Sequence, residues 1–354
     1  MLRSIREASY CPTLALRPGE MRGLEELAEG DKSRILPVVL FAPWVGSHSL
    51  ERSVERIEQA YGNRPFFLDL DRYYVGQNSS NGAQREFRAL IQGDNRIDDW
   101  KSLIETIETA MPILRHDVSE RDLLEQIDWA EHLGRGYAFR FDDPTLGLNG
   151  NVLNALEDIE HSELAVFIDA GWANDPLAHE FWLRSAVEQV LQRNPNVPLS
   201  TSTSNFPSSF ANIEGLGTCT IGAREVFNRV RAANNEANLT YGDWASTKPR
   251  SYDRGGHPLP RIDYATRSQW VMARSKKEEW DFVDAANAIV DSDHWNDAIE
   301  TWGSYMIEST AEEEPYSIDT SPKAVAARIN IHLHVQANFD LPENAISYDD
   351  PWID

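Results

Sequence analysis

The sequence predicts an α/β protein, a closed ring of eight strand–helix units with a C-terminal extension. Three observations predict it. Short apolar, β-branched or aromatic runs alternate with longer stretches of helical period through the first 245 residues, which implies parallel strands joined by right-handed crossovers. The runs number eight, and eight units in this length match a (β/α)8 TIM-like barrel of about 250 residues. No Gly-x-Gly-x-x-Gly follows the first run, as it would in an open, doubly wound dinucleotide-binding sheet.

The first run, residues 10–16 (YCPTLAL), is strand-like, and Pro18-Gly19-Glu20 opens a helix to about residue 28. Residues 34–41 (RILPVVLF) form the second run. A helix over 49–61 follows, with Leu50, Val54 and Ile57 on one face. Residues 65–71 (PFFLDLD) are the third strand; a polar loop covers 75–82, and helical material runs from there to about residue 109. The fourth strand is 111–115. Ser119-Glu120-Arg121-Asp122 resembles a capping box, and Leu123, Ile127 and Ala130 continue the apolar face of its helix. The fifth strand is 136–141 (GYAFRF), followed by a helix over 152–160 and the sixth strand, 164–169 (LAVFID). Leu177, Phe181, Val187, Val190 and Leu191 mark a long helix before the seventh strand, 197–203. Val226, Val230 and Ala233 sit on the helix before the eighth, 238–243 (NLTYGD).

Residues 1–247 are thus expected to form the barrel core, and 248–354 an extension packed on it that ends in an acidic tail. Residues 248–260 (KPRSYDRGGHPLP) read as a long basic loop. A strand is expected at 270–273 and helices at 280–290, 298–306 and 322–330. Residues 331–337 (IHLHVQA) alternate as a strand does.

The chain has 354 residues, 33 of them Lys or Arg and 57 Asp or Glu, for a formal net charge of −24. That balance repels phosphate, so nucleic acid and anionic membranes are not expected partners. The excess acid favours solubility or a basic protein partner. Cys11 and Cys219 are the two cysteines; they exclude a disulfide scaffold and a four-cysteine zinc site and fit a reducing compartment. The first residues lack the apolar core of a signal peptide, and no run reaches the roughly 18 apolar residues of a membrane span. The expectation is a cytoplasmic protein.

In a barrel the chemistry sits at the C-terminal ends of the strands. Those ends carry Asp69 and Asp71; Arg115, His116 and Asp117; Arg140, Asp142 and Asp143; Asp169; Ser202, Ser204 and Asn205; and Tyr241 and Asp243. Asp69, Arg140, Asp142, Asp169 and Asp243 form the candidate catalytic set. Converging carboxylates suit a divalent metal ion such as Mg²⁺, or an acid/base pair. Arg115 and Arg140 suit a bidentate grip on phosphate or carboxylate. The plainer reading of each aspartate is a helix cap or turn, as in Asp142-Asp143-Pro144 and Asp169-Ala170-Gly171. Ser204 and Lys248 are further candidate ligand-binding residues, Lys248 standing with Arg250 and Arg254 in the basic loop after the eighth strand. His332 and His334, two apart on an expected strand, would face one side and could share a metal or a phosphate. Trp44, Trp172 and Trp244 each follow a strand end and are candidate pocket walls. No P-loop, His-Glu-x-x-His, EF-hand loop or nucleophile elbow is present.

Tyr10-x-Pro12 with Leu14, then Gly19-Glu20 and Ile35-x-Pro37, resembles the opening of the beta protein family. Further matching pieces follow in order: Leu68-Asp69, Ala138-x-Arg140, Ile168-Asp169, Ser204-x-Phe206-Pro207 and Tyr241-Gly242-Asp243. The segment from Arg328 to His334 looks like the histidine-bearing C-terminal segment of that family. Family members tend to carry an acidic residue after the second strand, where this chain has Leu40-Phe41-Ala42. The resemblance implies a phage- or mobile-element-linked protein, encoded beside partner genes in loci concerned with phage defence or toxin control. It brings no established reaction. The expected function is a component of such a system whose mouth binds an anionic, phosphorylated ligand or a metal. A metal-dependent hydrolase or phosphodiesterase, and a non-catalytic module for a basic partner, stay open beside it.

Overall fold

The computed structural model describes residues 3–76, 80–159, 164–235, 237–250, 259–296 and 299–342. The chain runs β1 (Tyr10–Ala15), α1 (Pro18–Glu25), α2 (Glu29–Lys32), β2 (Val38–Phe41), α3 (Glu51–Tyr61), β3 (Phe66–Leu70), α4 (Gly82–Gln92), α5 (Arg96–Thr106), β4 (Ala110–Pro112), α6 (Glu120–Leu133), β5 (Tyr137–Phe141), α7 (Gly150–Ala155), β6 (Leu164–Trp172), α8 (Glu180–Arg193) and β7 (Leu199–Ser204). It continues with β8 (Gly215–Thr220), α9 (Ala223–Ala233), β9 (Leu239–Asp243), β10 (Arg261–Ala265), β11 (Gln269–Arg274), α10 (Phe282–Val290), α11 (Trp302–Ala311) and α12 (Ser321–Ala337). Eight of these strands form one parallel sheet in the order β4-β3-β2-β1-β9-β7-β6-β5. Its two ends meet at a parallel bridge between Ile113 and Ala138. The sheet is therefore nearly closed, a TIM-like α/β barrel with C-terminal helices, as the alternation predicts.

Local chemistry sets the helix ends. Pro18 stands at the start of α1, where its missing N–H costs nothing. Asn81, Ser119 and Asn149 cap α4, α6 and α7 by accepting backbone N–H bonds. Gly134 ends α6 in the left-handed region, at φ 67°, which a side chain would disfavour.

Strand side chains alternate between two faces. One set fills the barrel lumen: Cys11, Ala15, Val38, Leu40, Phe67, Met111, Ile113, Ala138, Ala165 and Phe167, with Trp244 among them. The other set, including Leu14, Val39, Leu68, Phe139, Val166 and Ile168, packs under the helices. This parity decides which strand-end residues reach the mouth.

Two features differ from the sequence reading. The β7–α9 connection contains β8, which pairs antiparallel with β11, and β11 pairs with β10, in a separate three-stranded sheet. β11 covers the strand expected at 270–273; β8 and β10 were not expected. The β8 sequence, GLGTCT, has two glycines and no strong apolar alternation, so it gives little strand signal. Residues 331–337 are not a strand but the last two turns of α12. Thirteen of the seventeen residues of α12 are buried, so no polar face marks the helical period, and a short apolar run of that kind does not distinguish helix from strand.

α12 lies in the ring position that an eighth barrel helix would fill. It packs against α1 and touches β1, and on its other side Arg224 of α9 donates to Gln336 Oε1 at 2.7 Å. The α1–α12 approach is close: a Cβ on Gly23 would stand 2.9 Å from Ala326 O and 3.0 Å from Ile329 Cβ. The expected helices 280–290 and 298–306 correspond to α10 and α11. Residue 298, Arg254 with most of the expected basic loop, part of the 75–82 loop, the end of the 152–160 helix and the acidic tail from 343 lie outside the described residues. Among the described residues no helix is long and apolar enough to cross a membrane.

Candidate functional site

Inward parity brings four of the predicted residues together. Asp69 from β3, Arg140 from β5 and Asp169 from β6 point into the lumen near its C-terminal end, with Asp142 just past β5. Arg140 is 2% exposed. Its Nη1 donates to Asp69 Oδ2 at 2.8 Å and to Asp142 Oδ2 at 3.2 Å, and its Nη2 to Asp169 Oδ2 at 2.7 Å. Burial alone would push the guanidinium toward losing its proton, but Asp142, Asp169 and Asp69 outweigh it and raise the pKa. The second oxygens of the carboxylates are also used. Asp169 Oδ1 accepts from Trp244 Nε1 at 3.0 Å and from Gly171 N at 2.9 Å, and Asp69 Oδ1 from Leu70 N at 2.8 Å.

This arrangement corrects the role expected for Arg140. Both terminal nitrogens of its fork already face protein carboxylates, so it does not offer a grip for an outside anion. Its guanidinium also fills the centre on which the carboxylates converge. Among the described residues no three His, Cys, Asp or Glu side chains are arranged to hold a metal ion.

The accessible chemistry lies one step outward. A cavity of about 200 Å³ is lined by Arg72, Tyr73, His116, Phe141, Asp142 and Leu146. Arg72 Nη1 lies 3.5 Å from Asp142 Oδ1, and its side chain is 31% exposed, so the guanidinium keeps donors for a ligand. Burial lowers the Arg72 pKa, but Asp69 and Asp142 more than reverse this and leave it raised. His116 Nε2 lies 3.0 Å from Arg140 O. A carbonyl only accepts, so Nε2 carries the proton and Nδ1 is left as an acceptor. Burial and then Arg72 lower the His116 pKa, which keeps the ring neutral at pH 7. Burial first, then Asp142, pushes the Tyr73 phenol up to about 12, so it stays a donor. Asp143 lines the cavity as well, which thus combines a cation, a neutral imidazole, a phenol and two carboxylates against an apolar wall.

The other predicted residues sit elsewhere. Arg115 is turned into the wall: it donates to Leu90 O at 2.7 Å and makes a bidentate pair with Asp117 at 3.1 and 2.8 Å. It ties the end of α4 to the mouth and is not the expected ligand grip. Ser204 Oγ donates to Thr247 O at 2.5 Å and accepts from Phe206 N at 3.2 Å, which fixes the turn after β9. Lys248 Nζ lies over the Trp172 ring at 5.5 Å, and Arg250 pairs with Asp71 and donates to Leu16 O. Trp172 Nε1 donates to Phe206 O at 2.8 Å, and Trp44 lies under Arg56.

Asp243 does not join the mouth. Its parity is that of Tyr241, on the helix-facing side of β9. It accepts from Tyr10 Oη, from Tyr241 Oη at 2.7 Å, from Ala245 N at 2.7 Å and from His332 Nε2 at 2.8 Å. Burial would raise its pKa, but His332 and the two phenols outweigh it and lower it to about 2. His334 points the other way, with Nδ1 2.7 Å from Asp31 Oδ2. On a helix, residues two apart are separated by roughly 200°, so the expected shared ligand of His332 and His334 is ruled out by their geometry; each fastens α12 to a different carboxylate.

Arg72 and Tyr73 lie just past the strand end that Asp71 marks, in a turn with no strand pattern of its own. The strand-end rule extended by two residues would have included both. The Beta protein family model matches residues 10–338 of the chain. The chain is also 26% identical over 337 residues to Protein beta of Enterobacteria phage P4, an alignment that spans 93% of this chain and 92% of that protein. The chain belongs to the Beta protein family.

Proposed function

We propose that this chain is a cytoplasmic component of a bacterial or prophage-encoded antiphage defence or toxin-control system, and that its barrel mouth takes a small phosphorylated ligand in the Arg72 cavity. The observation that carries the ligand reading is the Arg72 guanidinium, partly exposed and loosely paired with Asp142 at 3.5 Å, beside a phenol and a neutral imidazole. A phosphoryl oxygen would replace Asp142 on Arg72 and gain charge-assisted bonds that the longer contact lacks. Tyr73 would donate to a second oxygen. His116 Nδ1 would accept a proton from the ligand, the role of a general base. Support for the phage link comes from the relative encoded by phage P4, and the partner expected is a protein encoded in the same locus. The metal-dependent hydrolase is the weaker reading, because Arg140 stands where the carboxylates would hold the ion.

The test is a plating assay with cells carrying the chain and its neighbouring genes. The locus is expected to cut phage plating or silence a neighbouring toxin, and Arg72→Gln to remove that effect at unchanged protein level and melting temperature. A locus that neither restricts phage nor neutralises a toxin overturns the system-level reading. An Arg72→Gln variant as active as the parent overturns the ligand site.

A further inference from the structure

We propose that a second anion site lies toward the N-terminal ends of the barrel strands, where Arg224, Arg231 and Arg6 bind a tetrahedral phosphate dianion, free or as a small phosphomonoester. A cleft of about 210 Å³ opens there between α9 and Asp340, which follows α12, over the start of β9 and beside the residues that lead into β1. That volume is several times the roughly 30 Å³ share of one water, room for a phosphate group and a small organic remainder.

The sequence places the three arginines apart, and the fold gathers them. Arg224 and Arg231 are seven residues apart on α9, two turns on one face, and Arg6 reaches the cleft from the N-terminal turn. Asp340 is the one carboxylate that lines it. In a chain of net charge −24, this is a local excess of positive charge.

Arg224 is the anchor. It is 6% exposed and is held between two rings, its guanidinium carbon 3.4 Å from the Tyr241 centroid and 4.0 Å from that of Phe339. Its Nε and Nη2 donate to Gln336 Oε1 at 3.2 and 2.7 Å. No carboxylate pairs with it among the described residues, and its Nη1 has no hydrogen bond there. A buried guanidinium without a counter-ion is costly, and a planar fork fixed by two rings is preorganised for an oxyanion. Arg231 likewise makes no ion pair among the described residues, and Arg6 donates to the Asn196 carbonyl, so both can turn charge toward the cleft.

The test is calorimetric titration of the full chain with inorganic phosphate and, separately, with glycerol 3-phosphate at low ionic strength. Saturable binding is expected for the parent. The double variant Arg6→Gln/Arg231→Gln, both exposed positions, should weaken binding at least about tenfold, the scale of one lost charge-assisted bond, with its melting temperature unchanged. Arg72→Gln should remove no more than the mouth's share of the signal and keep the saturable class that the double variant loses, which separates this site from the mouth. Tighter binding of glycerol 3-phosphate assigns the site to an ester, and tighter binding of inorganic phosphate to the free ion. No saturable binding at about 10 mM ligand, a low affinity by the usual scale, overturns the proposal. So does equal affinity when Arg6→Gln/Arg231→Gln is added to Arg72→Gln, or loss of all saturable binding in Arg72→Gln alone.

Discussion

Asp169 and Asp243 both end strands of the same barrel and both are buried, yet they are neutralised in opposite ways. Asp169 faces the lumen and meets Arg140, a cation that stays charged at every accessible pH, with Trp244 and Gly171 completing its shell. Asp243 faces the helices and meets two phenols, a backbone N–H and His332. One residue of strand parity separates the two environments. The inner network builds the mouth; the outer one fastens α12 into the helical ring. The inner network shares one guanidinium among three carboxylates, whereas the outer one spreads one carboxylate over several donors.

The largest effect is expected inside. Arg140→Ala leaves Asp69, Asp142 and Asp169 buried without their cation, and breaking a buried pair by removing one partner costs about 3–5 kcal/mol. Urea unfolding at pH 7 measures it. A loss below about 1 kcal/mol would mean that water or a neighbouring side chain takes over Arg140's role, and the contrast between the two networks would fail.

The outer network should carry the pH dependence. Asp243 has its folded pKa lowered from 3.8 to about 2. Above pH 3.8 both folded and unfolded chains hold it ionised, and the stabilisation is present in full. As pH falls from 3.8 toward 2 the unfolded chain takes the proton first, so stability declines with falling pH by about 2 kcal/mol. Asp243→Asn should lose about that amount at pH 7 and show no such slope between pH 4 and 2 relative to the parent. An unchanged acid slope in Asp243→Asn would assign the proton uptake to other carboxylates.

Much of this contrast was legible in the sequence, and its gaps have physical causes. The eight-strand count, and the gathering of Asp69, Arg140, Asp142 and Asp169, follow from alternation and strand ends. Strand ends taken without parity group Asp243 with them, whereas Gly242 and Trp244 take the lumen side of β9, and Tyr241 and Asp243 the other. The role of Arg140 was hidden because sequence gives the charges but not the direction of the fork. The pattern of α12 divides into helix and strand because burial on all sides erases its polar face. β8 gives no strand signal because its glycines carry no apolar pattern. The strand period pairs His332 and His334, whereas the helical period sends them to Asp243 and Asp31.

The smallest effect isolates a single hydroxyl. The Tyr241 ring stacks on Tyr10 at 5.5 Å and lies under the Arg224 guanidinium, so Tyr241→Phe keeps the packing and removes only the donor to Asp243 Oδ2. Burial, and then Asp243, holds the Tyr241 pKa well above its ordinary value, so in the parent that hydroxyl donates across the whole neutral range. Its loss should cost about 1.5 kcal/mol, the lower end for a bond to a charged group, because Tyr10, Ala245 and His332 still serve the carboxylate. Removing a donor to the ionised form also raises the Asp243 pKa. The acid slope should therefore shrink and its lower limit move to higher pH, which titration of the Asp243 carboxyl by NMR would read directly. A pKa unmoved from about 2 would mean that Tyr10, Ala245 and His332 hold the carboxylate without Tyr241, and the outer network would not share its charge over all four donors.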